Sequence, residues 1–499
     1  MNIKKIFGPP GTGKTTYLLN AVQQELEEGV SSRRIGYLAF TRKAANEAKG
    51  RAIEKFPDLN ADVDFPWFRT LHSLAYQSLG IQSSQMMKAE NYKEFARKAG
   101  LDFSIDTGEE DFMIKTDHPV LNEINIARAR QEDLRAHYNR SRTTIEWFHF
   151  EYVERAYRQY KEANGLLDFT DLLVQAVEHP ERLPSFEVLI IDEAQDLSRL
   201  QWHLVMALAE RSQRVLIAGD DDQAVFTWAG ADVEAFLDLP GEIIVLNQSY
   251  RVPALIHQLA DRVVKRIRFR QPKEWNPRDI SGQVETHFSF DSVPVNEGEW
   301  LIMASTNYML NDLHSWLKSQ GLLFERHGHR SIPENVLTAV LGWEGLRKGK
   351  EMPFSVVQQV YKYMSTSMVK RGHKTLRGVS EEGLYTLASL KENHGLLTDA
   401  PWYEVLTKIG SEKSSYISAL LRRGTKLQSR PLIKLSTIHG AKGGEADNVL
   451  LLTDLSTKFA REYEYNPDAV NRLLYVALTR ARQSLHLVLP TDGQKGFRI

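Results

Sequence analysis

A chain of 499 residues with a net charge of −1, 42% hydrophobic and 25% charged residues is too long for one ordinary core, and domain-size considerations predict roughly three or four folding units. The absence of cysteine excludes disulfides, thiolate metal sites and cysteine nucleophiles, and the 15 histidines include no His-Glu-x-x-His spacing, so any metal is expected to arrive with a substrate. No apolar run reaches the roughly 18 residues of a membrane span, and the start "MNIKKIFGPPG" lacks a secretory apolar core, which predicts a cytoplasmic protein without a membrane partner.

In chain order, "IKKIF", "RIGYLAF", "FEVLIID", "QRVLIAG" and "EIIVLN" read as short buried strands alternating with helices, the pattern of a parallel α/β sheet. A second set, "EWLIMAS", "PLIKLST", "DNVLLLT" and "LHLVLP", predicts a second sheet and hence a second α/β domain. Two mainly helical stretches interrupt this rhythm, residues 77–161, with an acidic turn "DTGEED", and residues 318–430. Both read as insertions into the sheet domains. Because net charge is near zero, any nucleic-acid contact must come from local patches. The candidates are "DRVVKRIRFRQPK" and the Lys- and Arg-rich stretch "LRKGKEMPFSVVQQVYKYMSTSMVKRGHKTLR".

"GPPGTGKT", Gly8 to Thr15, fits G-x-x-x-x-G-K-[ST] directly after a strand and before a helical pattern. Its glycines (Gly8, Gly11, Gly13) turn backbone N–H groups toward phosphate oxygens. Lys14 reaches the β- and γ-phosphates, and Thr15 is placed to ligate Mg²⁺ at a helix N-terminus. "FEVLIIDEAQD" delivers Asp192 and Glu193 at a strand's carboxyl end, one acid to hold Mg²⁺ and the next to polarise an attacking water. A cation from outside the loop is needed for the charge on the transferred phosphoryl group, and such a group is worth about 10³ to 10⁵ in rate. "NQSYRVP" offers Arg251 and "YVALTRAR" offers Arg480.

Nine ordered blocks carry a resemblance that runs from Gly8 to Arg482. They are "GPPGTGKT", "LAFTRKAANEAKGR", "RTLHSLA", "LLDFTDLL", "VLIIDEAQDLS", "GDDDQAVFTWAG", "LNQSYR", "STIHGAKGGEADNV" and "RLLYVALTRAR". Together they resemble the UvrD/Rep/PcrA family, the 3′-to-5′ DNA helicases of superfamily 1. The resemblance implies two RecA-like parallel-sheet domains of the P-loop NTPase class, each with a mainly helical insertion. The first domain would comprise residues 1–76 and 162–250 with insertion 77–161, and the second residues 251–317 and 431–499 with insertion 318–430. ATP and Mg²⁺ are the implied cofactors; single-stranded DNA and the single-strand/duplex junction are the implied partners.

By the same resemblance, Thr15 and Asp192 hold Mg²⁺, Glu193 and Gln223 act on the attacking water, and Arg251 and Arg480 contact the γ-phosphate. Gly8, Gly11, Thr12, Gly13, Lys14, Thr15, Thr16, Gly443, Glu445 and the base-stacking Tyr250 bind nucleotide. Phe40, Thr41, Arg42, Thr70, His72, Thr437 and His439 lie along DNA, where hydroxyls and imidazoles suit phosphate positioning rather than base reading. Phe226 and Trp228 stack on bases. Asp220 faces the metal side of the same segment; for Asp221 and Asp222 the sequence suggests capping or solvating the turn and leaves any further role open. "AKGGEADNV" matches the form of this branch, which predicts 3′-to-5′ movement. A motor that strips proteins from single strands and unwinds weakly, and a 5′-to-3′ superfamily 1 helicase, are the alternatives.

The sequence also departs from the family pattern. Only seven residues precede Gly8, where the family has an adenine-reading glutamine motif further upstream, so base selectivity is expected to be relaxed or to rest on Tyr250. Ala229 and Ser305 stand where relatives usually have arginine, and the paired glutamates ahead of Arg472 are missing. These losses predict an intact hydrolytic core with weakened coupling to DNA.

Overall fold

The computed structural model describes residues 2–106, 115–116, 118–141, 143–376 and 379–499. The acidic turn expected at residues 106–111 therefore lies, beyond its first residue, outside the described residues. The chain divides into two compact units, Met1–Ser281 with Glu462–Thr479, and Gly282–Arg461 with Arg480–Ile499. Among the described residues no helix is long and apolar enough to cross a membrane.

The first unit is built on six parallel strands: β1 (Asn2–Phe7), β2 (Ile35–Ala39), β3 (Phe68–Thr70), β4 (Phe186–Asp192), β5 (Ser212–Gly219) and β6 (Glu242–Val245). Their order is β3-β2-β4-β5-β1-β6. In β4, all five residues from Val188 to Asp192 are buried, as expected of a strand covered on both faces. Helices sit on both faces and close separate apolar layers, one around Leu38, Leu189 and Ile217, the other around Leu18, Tyr37 and Ile190. Because the strands run parallel, the carboxyl ends of β1, β2, β4 and β5 share one edge of the sheet, where a doubly wound sheet binds ligands. A pair of short parallel strands, β7 (Gln248–Pro253) and β8 (Asn276–Arg278), follows in the same unit.

Helices Ala89–Ala99, Pro119–Ala129, Leu134–Ser141 and Trp147–Asn164 form the first insertion around a core of Tyr92, Phe95, Leu121, Phe150 and Tyr157. A buried ion cluster ties it to the sheet domain. Asp168 caps helix Phe169–Glu178 and accepts from Arg128 (2.7 Å), Lys161 (2.7 Å) and Tyr157 (3.0 Å).

The second unit holds β9 (Gln283–His287), β10 (Trp300–Ala304), β11 (Phe324–Arg326), β12 (His329–Arg330), β13 (Ile433–Thr437), β14 (Ala446–Leu452) and β15 (Ala481–Val488). The order is β9-β15-β14-β10-β13-β11-β12, parallel except for the β11–β12 hairpin. Its helical insertion does not form a separate core. Val340, Trp343, Val360 and Leu420 join Ile302, Leu435 and Leu450 of the sheet in one apolar cluster. The α/β class expected from the strand pattern, with two parallel sheets and helical insertions, is the fold observed.

Candidate nucleotide and nucleic-acid site

The loop between β1 and helix Lys14–Glu27 has the backbone its glycines permit. Gly11 and Gly13 lie at φ +74° and +77°, a region L side chains rarely enter, and a Cβ on Gly8 would collide with the Lys14 stem. Gly8 N–H donates to Gly219 O at the end of β5, and Thr12 Oγ1 donates to Pro9 O. Lys14 Nζ lies 2.8 Å from Gly8 O, curled over the loop, while Thr15 and Thr16 open the helix behind it. The result is a cradle at a helix N-terminus, suited to an anion.

Beside it, Asp192 is buried and accepts a hydrogen bond from Tyr37 OH at 2.7 Å. Burial, with the neighbouring Glu193 adding, pushes its carboxyl up to about 6 against the opposing pull of Tyr37 and Lys14. A buried carboxylate in that condition favours a nearby cation, which is the property a metal ligand needs. Glu193 adopts the left-handed conformation at φ 55°, and its carboxylate accepts from Gln195 Nε2 at 2.6 Å. The other side of the Gln195 amide accepts from Asp220 N–H at 2.9 Å. One glutamine thereby fixes the ends of β4 and β5 to each other. Gln195 lies within the block "VLIIDEAQDLS" without a role assigned from sequence, and Tyr37 lies outside the motif blocks.

The segment after β5 resolves differently from a solvated acidic turn. Asp220, Asp221 and Asp222 are all buried. Gln223 Nε2 donates to Asp220 at 2.7 Å. Lys273, whose side chain is 1% exposed, lies 3.1 Å from Asp220 and 2.9 Å from Asp222 and also pairs with Asp221. Arg270 makes a bidentate pair with Asp222 at 2.8 and 2.7 Å, Gln271 N–H donates to Asp221, and Arg472 Nε donates to Asp221 O. Burial works against the Lys273 ammonium, but the three carboxylates together hold it charged above its ordinary range. The three acids have a geometry that a metal ion could use, yet an ammonium already lies among them. Two cations of the predicted basic stretch "DRVVKRIRFRQPK" thus face inward to neutralise these acids instead of forming a solvated face.

Tyr250 and Arg251 pack onto the same loop within this unit. Tyr250 N–H donates to Gly11 O (2.8 Å), Ser249 Oγ donates to Pro10 O (2.7 Å), and a Cβ on Gly11 would collide with that of Arg251. Tyr250 is 72% exposed and stands beside the loop. Gly8, Gly11, Thr12, Gly13, Lys14, Thr15, Thr16, Asp192, Glu193, Gln223, Tyr250 and Arg251 are thus gathered in one unit.

On the same unit, Phe40, at the end of β2, lies 5.7 Å from Phe226, which lies 6.4 Å from Trp228. Phe40 is buried whereas Trp228 is 51% exposed. Thr41 and Thr70 cap helices Arg42–Lys55 and Leu71–Leu79 by accepting from Ala44 and Ser73 N–H. His72 is buried, edge-on to Phe169. Burial, with Arg42 adding and Asp168 opposing, brings it down to about 4, so it is a neutral polar group at physiological pH. Arg42, Lys49, Arg69, Thr70 and His72 line a groove of about 470 Å³. Asn125 and Ala129 of the insertion line a neighbouring small cavity with Phe40, His72, Phe226 and Ala229. Arg130, just past helix Pro119–Ala129, donates to Thr227 O at 2.7 Å, two residues from Ala229.

The second unit carries the remaining predicted residues. Thr437 ends β13 and accepts from Gly440 N–H, and His439 stacks on Phe459 at 6.1 Å. Gly443 is at φ +78°. Glu445 pairs with Arg482, and the buried Arg480 donates to Gly444 O at 3.3 Å.

Two family models match the chain. The UvrD/REP helicase N-terminal domain matches residues 3–243, and the UvrD-like helicase C-terminal domain matches residues 432–488. ATP-dependent DNA helicase PcrA of Staphylococcus aureus is 26% identical over 330 residues, covering 61% of this chain and 44% of that protein. The PcrA of Staphylococcus epidermidis is 29% identical over 298 residues, covering 54% of this chain and 38% of that protein. The chain therefore spans less than half the length of these relatives. With both family domains matched in order across two parallel-sheet units, the chain belongs to the UvrD/REP helicase family.

Proposed function

We propose that this protein is an ATP-driven DNA helicase and translocase that moves 3′-to-5′ on single-stranded DNA and unwinds duplex at a junction. The observation that carries the reading is the assembly of one phosphate cradle from Gly8–Thr15, the acids Asp192 and Glu193, and Tyr250–Arg251 packed on the loop. Magnesium-bound ATP, when held there, supplies the transferable phosphoryl group and part of the charge screening it needs. Lys14 grips the phosphates, and Thr15 with Asp192 holds the ion. The Glu193 carboxylate, oriented by Gln195, takes the proton of the attacking water. Gln223, held by Asp220, orients that water or the γ-phosphate, and Arg251 and Arg480 offset the developing charge. Tyr250 stacks on the nucleotide base, and Glu445 lies toward its sugar.

For DNA, the groove along Arg42, Thr70 and His72 receives backbone phosphates, with Thr437 and His439 as further contacts on the second unit. The rings of Phe40, Phe226 and Trp228 receive bases. Such stacking is worth about 1–3 kcal/mol per base, close to the mean of about 1.4 for one duplex step. A small shift of the Phe226–Trp228 segment is then enough to release one base and admit the next. We assign residues 1–76 and 162–250, and residues 251–317 and 431–499, as the two motor domains, with 77–161 and 318–430 as their insertions. Ala229 in place of arginine favours a second reading, in which DNA-stimulated hydrolysis mainly clears proteins from single strands.

Lys14→Ala tests the reading. The parent is expected to hydrolyse ATP with Mg²⁺ faster when single-stranded DNA is added. The variant should lose turnover and unwinding by at least about a hundredfold, a conservative figure against the contributions known for phosphoryl-transfer groups. It should still retain DNA in a binding assay; a variant that keeps full unwinding would exclude a motor.

A further inference from the structure

A cluster far from the nucleotide cradle in sequence has the geometry of a metal site. Glu285 and His287 are two apart on β9, so they project from the same face of the strand, and His486 is the register partner of Glu285 on the adjacent β15. His287 Nε2 and His486 Nδ1 lie 3.0 Å apart, and each is 3.6 Å from one Glu285 carboxylate oxygen. A tetrahedral ion with metal–ligand distances of 2.0–2.2 Å separates its ligands by about 3.3–3.5 Å. The three observed separations straddle that range.

The hydrogen bonds behind the rings determine what the facing nitrogens carry. Ser292 Oγ donates its proton to Ser289 O at 2.7 Å, so it is an acceptor toward His287 Nδ1 at 3.2 Å. Ser484 Oγ donates to Asn448 Oδ1 at 2.7 Å, so it is an acceptor toward His486 Nε2 at 3.1 Å. The Asn448 orientation is itself fixed, because its amide nitrogen donates to Glu299 O. Each ring proton is thereby committed outward. In the neutral rings, His287 Nε2 and His486 Nδ1 meet as two lone pairs beside a carboxylate. Three electron-rich atoms at this spacing need a cation between them, either one shared proton or a metal ion. A proton shared by the two nitrogens leaves the Glu285 oxygen 3.6 Å from both rings, beyond hydrogen-bond reach, whereas a metal ion engages all three atoms. Backing of each ligand imidazole by a hydrogen-bond acceptor is also how metal sites fix tautomer and ring orientation.

We propose that Glu285, His287 and His486 bind a divalent transition-metal ion of the zinc class, with water in the fourth position. The carboxylate and one ring come from β9 at the edge of the sheet, and the other ring comes from β15, so the ion staples the edge strand to its neighbour. β15 begins at Ala481, directly after Arg480, and the staple stiffens the strand that follows that arginine. Nothing in this assignment depends on the helicase reading.

The test uses the untagged full chain, stripped with a chelator and free of nucleotide. After one equivalent of zinc and gel filtration, elemental analysis is expected to find about one zinc per chain, and cobalt in its place should give the intense visible bands of four-coordinate ligation. Glu285→Gln, at a half-exposed side chain that leaves the fold intact, and His287→Gln should each weaken binding by at least tenfold. Ser292→Ala should weaken it by about 10- to 100-fold, as loss of an outer-shell partner does. Lys14→Ala should bind zinc as the parent does, which separates this site from the nucleotide cradle. Parent chain without zinc above buffer level, or zinc retained undiminished by Glu285→Gln and His287→Gln, would overturn the proposal.

Discussion

Lys273 is the residue on which the acidic segment depends. Its ammonium is the common partner of Asp220, Asp221 and Asp222, and Asp220 in turn holds Gln223 and, through its N–H, Gln195 and Glu193. Removing one partner from a buried ion cluster costs about 3–5 kcal/mol, because the remaining charges stay buried without compensation. Lys273→Met is expected to lower unfolding free energy by about that amount in denaturant titration. Adding Asp221→Asn should recover part of it by removing one uncompensated charge. A Lys273→Met variant as stable as the parent would mean that water reaches these acids and that the cluster is not a packed unit.

At the scale of elements, the first insertion is tied to the sheet domain at two points. Arg130 reaches Thr227 O beside Ala229, so a guanidinium from the insertion stands close to the position where the family pattern has arginine. Arg130→Ala should leave DNA-free hydrolysis within about twofold but lower its stimulation by single-stranded DNA by roughly tenfold, the scale of one lost charged hydrogen bond of about 1.5 kcal/mol. Unchanged stimulation would assign Arg130 to packing alone. The second point is Asp168. Burial raises its carboxyl, but Arg128 and Lys161 outweigh that and hold it well below the usual carboxylate range. A carboxyl depressed in the folded state stabilises the fold above the unfolded value of about 3.9 and loses that contribution as pH falls below it toward the folded value. Asp168→Asn should therefore be less stable than the parent at pH 7, by about 3–5 kcal/mol. The gap should narrow as unfolding is measured at successively lower pH below about 4. A gap that widens on acidification would reverse the sign assigned to this carboxyl.

For the molecule as a whole, direction and fuel are the properties to measure together. Duplexes with a single 3′ tail are expected to be unwound and those with a single 5′ tail left intact, and unwinding from the 5′ tail alone would reverse the assigned polarity. With Tyr250 offering an exposed ring, and stacking being tolerant of base identity, GTP and CTP should sustain unwinding within about tenfold of ATP. A strict preference for ATP would instead require an adenine-reading group.

The sequence by itself determined what is local. A phosphate cradle needs its glycines, lysine and threonine consecutively, so Gly8–Thr15 could be read directly, and strands covered on both faces show as unbroken apolar runs such as "FEVLIID". Only the tertiary structure decided what depends on residues distant in the chain. Asp221 and Asp222 read as solvated acids until Lys273, Arg270 and Arg472 folded onto them from 48 or more positions away. The roles of Tyr37, outside the motif blocks, and of Gln195, inside "VLIIDEAQDLS", were not legible because each acts on a neighbouring strand end. The histidines showed no metal spacing because a search along one helix cannot see Glu285 and His287 meeting His486 across a strand pair. Spacing in the chain reports contacts made within one element, whereas charge compensation in a core is made between elements, and there only the fold says which residues meet.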